Sequence, residues 1–294
     1  MRTPGLKRVL FYLFAALCAV FLLSVMASII FGISITGLKS GKIGLIKVEG
    51  IIVSSGSFIE QLKTFKEQDT IRALVVRIDS PGGSVAPSQE IYRELVKFKQ
   101  ETGKKIVASM ASTAASGGYY IACAADKIVA NPGTLTGSIG VIVTFPNLGR
   151  LFDKVGYEEQ IVKSGRFKDI GSASRELTEE ERTILQRVVD DIHEQFIEAV
   201  STSRNIEKEN ITTLADGRVF SGRQAMEFNL VDSLGTLEDA VELASELAGI
   251  SGEPKVVTVK KERSIFDIAR DLVGQVSSFK PFEYSPIKVQ YILP

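Results

Sequence analysis

Arg77-Ile78-Asp79-Ser80-Pro81-Gly82-Gly83-Ser84 follows a run rich in Val and Ile, Ala73 to Ile78, and precedes a helically spaced one, Ser88 to Lys99. A strand, a Pro-Gly-Gly turn and a helix in that order are one step of an α/β layer. The same alternation extends outward on both sides. Ile43 to Val53, Ile106 to Met110 and Lys127 to Ala130 are further predicted strands, bounded by Gly, Pro, Asn or Lys. Ala115 to Ala124 carries helical spacing, and Thr178-Glu179-Glu180-Glu181 opens the clearest helix with a capping box. The apolar face of that helix, Ile184, Leu185, Val188, Val189, Ile192, Phe196, Ala199 and Val200, is the stripe of a core-packed element. From Gly41 onward the pattern predicts an α/β layer fold.

The chain has 294 residues, enough for a real hydrophobic core, and at 45% hydrophobic and 24% charged it is neither disordered nor collagen-like. Its 35 Lys plus Arg balance 35 Asp plus Glu, which argues against nucleic-acid binding as the main task. One histidine, His193, excludes a multi-histidine zinc site and leaves a single candidate for any Ser, His, Asp triad. It lies beside the helical stripe among Asp190, Asp191 and Glu194, and reads as a solvated or edge residue. Cys18 and Cys123 are poorly placed to meet, exclude a disulfide framework and read as small buried apolar residues.

Between Arg8 and Lys39 lie 30 residues without a charged side chain, Val9 to Leu38. About 20 apolar helical residues span a bilayer, so one transmembrane helix is expected before the body. The alternative is a cleaved signal peptide with Val25-Met26-Ala27 as its site. Against it, the apolar run continues through Ile29, Ile30, Phe31 and Ile33, beyond the usual h-region. Arg2, Lys7 and Arg8 precede the run and Lys39 and Lys42 follow it, which favours a cytoplasmic N-terminus. Taking those three leading cations from 35 leaves 32 positive against 35 negative charges on the remainder, a slightly acidic body expected to be extracytoplasmic. The expected organisation is residues 1–38 as N-terminus and anchor, 39–250 as the main domain and 251–294 as a helical extension and tail.

Three stretches carry chemical interest, each with a plainer reading. Pro81-Gly82-Gly83 is either a simple turn or a place where unshielded N–H groups meet a developing oxyanion. Met110 to Tyr120 leads through small residues to Ser116-Gly117-Gly118, which suits close helix packing. If Ser116 begins a helix, its Oγ sits at the positive end of the dipole with the Gly117 N–H free to donate. A nucleophilic serine needs a base, and with no suitable histidine the remaining strong base is a lysine. Lys163-Ser164-Gly165-Arg166-Phe167-Lys168 is a basic loop that reads as a solvated face or as the source of that lysine. At the ordinary pKa of about 10.4 roughly 1 lysine in 2,000 is neutral near pH 7, so such a base requires desolvation.

Asp79-Ser80-Pro81-Gly82-Gly83, Ala115-Ser116-Gly117-Gly118-Tyr119-Tyr120, Thr136-Gly137-Ser138-Ile139-Gly140, Lys163-Ser164-Gly165 with Lys168-Asp169, and Asp216-Gly217-Arg218-Val219-Phe220-Ser221-Gly222 occur in that order. Together they resemble the signal peptide peptidase A family in its short bacterial form, over roughly residues 42 to 250. The resemblance implies a serine peptidase of the Clp protease and crotonase fold, built of repeated ββα units, with an N-terminal anchor in the cell membrane. It implies Ser116 as nucleophile, Lys168 as general base, Ser138 as the residue orienting the lysine amine, and the N–H groups of Gly83 and Gly117 as oxyanion hole. It further implies no metal or organic cofactor, peptide substrates left from signal peptides, and a homo-oligomeric ring in which neighbouring subunits complete the dyad. Another Ser/Lys membrane protease of the same fold, one cutting stomatin-like proteins, would share every motif. A non-catalytic crotonase-fold scaffold or a coenzyme A enzyme would need neither Ser116 nor Lys168.

Beyond residue 250, Ile265, Phe266, Ile268, Ala269, Leu272 and Val273 form a helical stripe, and the chain ends Val289-Gln290-Tyr291-Ile292-Leu293-Pro294. A helix packed on the body is the expectation there. A membrane-surface helix or an autoinhibitory tail is the alternative.

Overall fold

The apolar runs pair side by side as parallel strands in a computed structural model that describes residues 5, 11, 14–27, 41–259 and 289–292. Residues 14–27 are helical (α1), and the body begins with β1 (Lys42–Glu49), α2 (Gly56–Lys66), β2 (Ile71–Ser80), β3 (Gly82–Ser84) and α3 (Val85–Thr102). Next come β4 (Lys105–Ala115), α4 (Gly117–Ala122), β5 (Lys127–Ala130), β6 (Leu135–Gly137), β7 (Ile142–Val143) and α5 (Gly149–Val155). The long α6 (Glu179–Arg204) leads into α7 (Lys208–Leu214), β8 (Val219–Ser221), α8 (Gly222–Glu227), β9 (Ser233–Leu234), α9 (Leu237–Leu247), β10 (Lys255–Thr258) and, last, β11 (Val289–Ile292).

The main sheet has the order β10-β1-β2-β4-β5-β9, with every neighbour in that row parallel, while β6 continues along β4 and carries β8 antiparallel. Parallel strands are stable only when both faces are covered, and β2 shows why its run is almost wholly apolar. Leu74, Val76 and Ile78 face one core with Phe65, Leu95 and Phe98, whereas Ala73 and Val75 face a second core with Ala240 and Ala244 of α9. Small alanines on α9 let that helix approach the sheet closely. A second, three-stranded antiparallel sheet, β3-β11-β7, stands beside the C-terminal ends of β2 and β4.

Several predicted boundaries shift for physical reasons. β1 stops at Glu49 rather than Val53, because Gly50 takes a positive φ of 70° and turns the chain. The helix expected from Ala115 begins only at Gly117, since Ala114 and Ala115 are paired as strand with β6. The capping box of α6 forms as predicted, with the Thr178 hydroxyl accepting from the Glu181 N–H and the Glu181 carboxylate accepting from the Thr178 N–H. Its apolar stripe is core-packed only in the C-terminal half, where Phe196, Ile197, Ala199 and Val200 are buried. Val188 in the first half is 44% exposed.

Of the uncharged N-terminal run, the described part is helical, and its apolar side chains, among them Phe14, Leu17, Phe21 and Leu23, are exposed. Among the described residues no helix is long and apolar enough to cross a membrane. Residues 28–38, the other end of that run, and the stripe from Ile265 to Val273 lie outside the described residues. Cys18 is exposed, against expectation; Cys123 is buried as expected.

Tyr119, fully buried, donates its hydroxyl to the Leu230 carbonyl at 2.8 Å and ties α4 to the loop before β9. Tyr119→Phe removes the donor and leaves that carbonyl unpaired in the core. A loss of about 1–3 kcal/mol in unfolding free energy is expected, measured by urea denaturation with far-UV circular dichroism unchanged. An unchanged denaturation midpoint would show that the tie carries no stability.

Candidate active site

The Pro81 turn is braced from within. The buried Ser80 hydroxyl donates to the Gly50 carbonyl at 2.6 Å and accepts from the Gly82 N–H at 3.1 Å, and Asp79 Oδ1 accepts from the Thr113 N–H at 3.1 Å. Ile52 clasps the next step, donating its N–H to the Gly82 carbonyl at 2.9 Å and accepting from the Ser84 N–H at 2.7 Å. These bonds consume one side of β3 and leave the other side to pair with β11.

Ser116 stands at the junction of β4 and α4 with φ 54° and ψ −117°, a region that residues with a Cβ rarely adopt. Two hydrogen bonds hold it there: its N–H donates to the Gly137 carbonyl at 2.8 Å, and its carbonyl accepts from the Tyr120 N–H at 2.8 Å. Its side chain is fully buried, yet Oγ has no hydrogen-bond partner among the described residues. A buried hydroxyl left unpaired is costly and marks a place where something else is meant to bind. Ser138 follows Gly137 on the same parallel ladder, in which Ala115 pairs with Gly137, so Ser116 and Ser138 each lie one residue past a shared rung. Ser138 also has a positive φ, 49°, and is 4% exposed.

Gly82 and Gly117 meet in front of Ser116. Gly82 has φ 103°, and a Cβ there would overlap the Tyr291 carbonyl oxygen and lie 2.8 Å from the Gly117 nitrogen. A Cβ on Gly117 would lie 2.6 Å from the Ser88 hydroxyl and 3.2 Å from the same Tyr291 oxygen. Tyr291 is the register partner of Gly83. The carbonyl of Tyr291 thus rests in a cradle of three glycines, at the N-terminal end of α4 where the first N–H groups have no intrahelical acceptor. The segment 289–292 forms a strand between β3 and β7, with the Tyr291 carbonyl against Gly82 and Gly117.

The structure brings Ser116, Gly83, Gly117 and Ser138 to one region, and Lys168 makes no hydrogen bond to the Ser116 hydroxyl. Lys168 is exposed, and its N–H donates to the Gly165 carbonyl at 3.1 Å in a turn between β7 and α6. The next residue anchors that turn. Asp169 accepts from Lys163 and, at 3.2 Å, from Arg175, and Arg175 makes a two-pronged bond to the buried Glu181 at 2.8 and 2.6 Å. Lys163 and then Arg175 hold the Asp169 carboxyl down at about 2; Arg175 and the Thr178 N–H do the same for Glu181, also at about 2.

His193 is an edge residue: it is partly buried, its Nε2 has no partner among the described residues, and it lines a cavity of about 260 Å³ with Ser138, Asp190, Asp216 and Ile292. Burial pushes the Cys123 thiol up to about 12, so it stays protonated and unreactive at neutral pH. Among the described residues no group of three or more His, Cys, Asp or Glu is placed to hold a metal ion.

The sequence singles out the Gly82-Gly83 pair but not the approach of the Tyr291 carbonyl to Gly82, which depends on the pairing of β11 with β3 and has no local signal.

The family model described as peptidase family S49 matches residues 98–251, and that described as Clp protease matches residues 47–133. A relative from Synechocystis named "Putative protease slr0021" is 49% identical over 235 residues, 79% of this chain and 83% of that one. "Putative signal peptide peptidase SppA" of Enterococcus faecium is 36% identical over 83% of this chain and 71% of its own length. "Serine protease SPPA, chloroplastic" of Arabidopsis thaliana is 34% identical over 80% of this chain and 35% of its own length.

Gly82→Ala should fold but misplace the cradle, lowering the rate at which Ser116 reacts with an acylating probe by about 100-fold or more. An unchanged labelling rate would remove Gly82 from the site. Acid should loosen the Lys168 turn. Asp169 and Glu181 titrate at about 2 in the fold, below the ordinary range near 4, so their stabilisation is present above that range and is lost as pH falls through it toward 2. Hydrogen exchange across residues 163–176, corrected for intrinsic rates, should show the opening free energy falling over that window. Arg175→Met should flatten the dependence; an unaltered slope would dissociate the turn from this network.

Proposed function

The chain belongs to peptidase family S49 and is a serine peptidase, and from that premise we propose a membrane-anchored endopeptidase that degrades remnant signal peptides with a Ser116/Lys168 dyad. The observation that carries the reading is the tail strand. A peptide lies antiparallel on β3 with one carbonyl against Gly82, Gly83 and Gly117, beside a buried serine hydroxyl that has no partner. This is strand addition at a sheet edge, the ordinary way an extended peptide is bound for cleavage.

In the proposed reaction the partner subunit's Lys168, neutral, takes the Ser116 proton as Oγ attacks the peptide carbonyl carbon. The carbonyl oxygen becomes an oxyanion and accepts from the Gly83 and Gly117 N–H groups. The lysine returns the proton to the leaving nitrogen, the C–N bond breaks, and an acyl-serine remains. Water loses a proton to the same amine, attacks the acyl carbon and releases the carboxylic acid, restoring Ser116. Ser138, one rung beyond the β4–β6 ladder, is the residue to orient the amine.

Sharing the dyad between subunits accounts for a buried nucleophile and an exposed lysine in one chain. A subunit contact over the turn would also desolvate the amine, which favours its neutral form. Apolar side chains exposed near that turn, Leu151, Val155, Ile161 and Val162, supply surface for such a contact in a homo-oligomeric ring. The uncharged run from Val9 to Leu38 supports a single-pass anchor in the cell membrane, and Arg2, Lys7 and Arg8 a cytoplasmic N-terminus with the body outside. Only a few residues separate the run from β1, so the body sits close to the bilayer where cleaved signal peptides remain.

Labelling with a serine-directed acylating probe in detergent tests the nucleophile. Ser116→Ala should abolish it, and Lys168→Met should lower kcat/KM on a signal-peptide substrate by about 1,000-fold, the middle of the range for losing a general base. Labelling undiminished in Ser116→Ala, or peptide cleavage by Lys168→Met equal to wild type, would contradict the dyad.

A further inference from the structure

Every strand in the parallel row except β9 begins on or beside a cation: Lys255 in β10, Lys42 in β1, Arg72 in β2, Lys105 in β4 and Lys127 in β5. Neighbouring strands lie about 4.8 Å apart, so these charges line one edge of the sheet. The helices α2 and α3 end at the same edge, with Lys66 and Lys99 in their last turns. Part of the charge is neutralised: Lys66 by Glu101, Lys99 and Lys105 by Asp126, and Lys127 by Asp232. Among the described residues Lys42, Arg72, Lys104 and Lys255 make no ion pair.

A cavity of about 430 Å³ opens in this edge, between the start of β2, the α3–β4 turn and the end of α9. Arg72, Lys104 and Lys105 line it, with Asp69 as the acid and Leu247 as an apolar wall. Lys104 spends its ammonium on the carbonyls of Phe65, Lys66 and Gln68, at 3.1, 3.3 and 3.0 Å, and so closes the end of α2. Burial draws its pKa down, Asp69 draws it up and Arg72 draws it down, so the two cations stand against each other. Lys105 meets Asp126 only at 3.8 Å. Like charges gathered round an open cavity are stabilised by an anion that enters it.

The cavity also lies where the body meets the uncharged run. A Cβ on Gly41 would lie 2.5 Å from Arg72 Cγ, so the arginine stem rests on the first described residue of the body. Leu38 ends the run three residues earlier, and three extended residues reach at most about 11 Å. We propose that this cavity binds the phosphate of an anionic phospholipid in the membrane that holds the anchor. The proposal rests on the membrane-anchored reading and adds to it the lipid on which the body sits. Ser116 follows the other end of β4, a strand of 11 residues, so a headgroup bound at Lys105 leaves the reacting end of the sheet open.

The chain has no tryptophan, so Leu247→Trp gives the cavity a single emitter. The full chain carrying it, in a non-ionic maltoside detergent, is titrated with dihexanoyl phosphatidylglycerol, dihexanoyl phosphatidylcholine or inorganic phosphate. Phosphatidylglycerol should bind saturably and about fivefold or more tighter than phosphatidylcholine, whose choline offsets the phosphate charge. Arg72→Gln with Lys105→Gln should weaken it by about 25-fold, roughly fivefold for each cation at a lipid surface. Added salt should weaken it as well. Equal binding of the two lipids, or a double variant that binds as before with its circular dichroism unchanged, would overturn the proposal. If the double variant unfolds, the comparison of the two lipids with Arg72 and Lys105 in place decides alone. Inorganic phosphate bound as tightly as phosphatidylglycerol would make this a site for a soluble anion and overturn the lipid assignment. Release of the full chain from its membrane by alkaline carbonate would defeat the anchor reading instead, and the titration, which needs no bilayer, still decides the cavity.

Discussion

The backbone of Ser116 sits at φ 54°, and the site depends on what keeps it there. A residue with a Cβ pays for that conformation, so the surroundings must over-determine it. The parallel pairing of β4 with β6 does so, by presenting the Gly137 carbonyl to the Ser116 N–H just where the strand ends. The short helix α4 does the rest, because the Tyr120 N–H takes the Ser116 carbonyl as its first helical acceptor. The strained angle turns the chain from strand to helix within one residue, sets the Gly117 N–H toward the β3 edge and leaves Oγ buried without a partner.

The fold around this point separates stability from chemistry. Two apolar cores clamp the parallel sheet from either side, and the site sits where that sheet ends and the small antiparallel sheet begins. Close approach there needs residues without side chains, since a Cβ at Gly82 or Gly117 would collide with neighbours. The turn bearing Lys168 is held by charge, through Asp169, Arg175 and Glu181, and not by core packing. Lys168 on such a turn is exposed, which suits the proposal of a site finished by a second subunit.

The layered α/β class was legible because β2 and its neighbours are buried on both faces and must be written in Val, Ile, Leu and Ala. The capping box at Thr178 was legible to the residue, since it is local chemistry. Strand ends near Gly50 and Ala115 were not, because they are set by a left-handed turn and by pairing with a distant strand, neither of which shows in periodicity. Ser116, Gly83, Gly117 and Ser138 could be singled out by their motifs, yet their meeting depends on register. The place of the tail was only an alternative in the sequence, since strand addition by four residues has no periodic signature. His193 could be read as a solvated or edge residue from its acidic neighbours, and it is partly buried at the edge of a pocket that Ser138 and Ile292 also line.

The central claim is that Ser116 of one chain works with the lysine of another. Mixing equal amounts of Ser116→Ala and Lys168→Met chains, each inactive alone, allows some neighbours to pair an intact serine with an intact lysine. Random assembly into a symmetric ring is expected to restore about a quarter of wild-type peptide cleavage, growing as subunits exchange. No recovery after exchange, with both variants folded and assembled, would contradict the shared dyad.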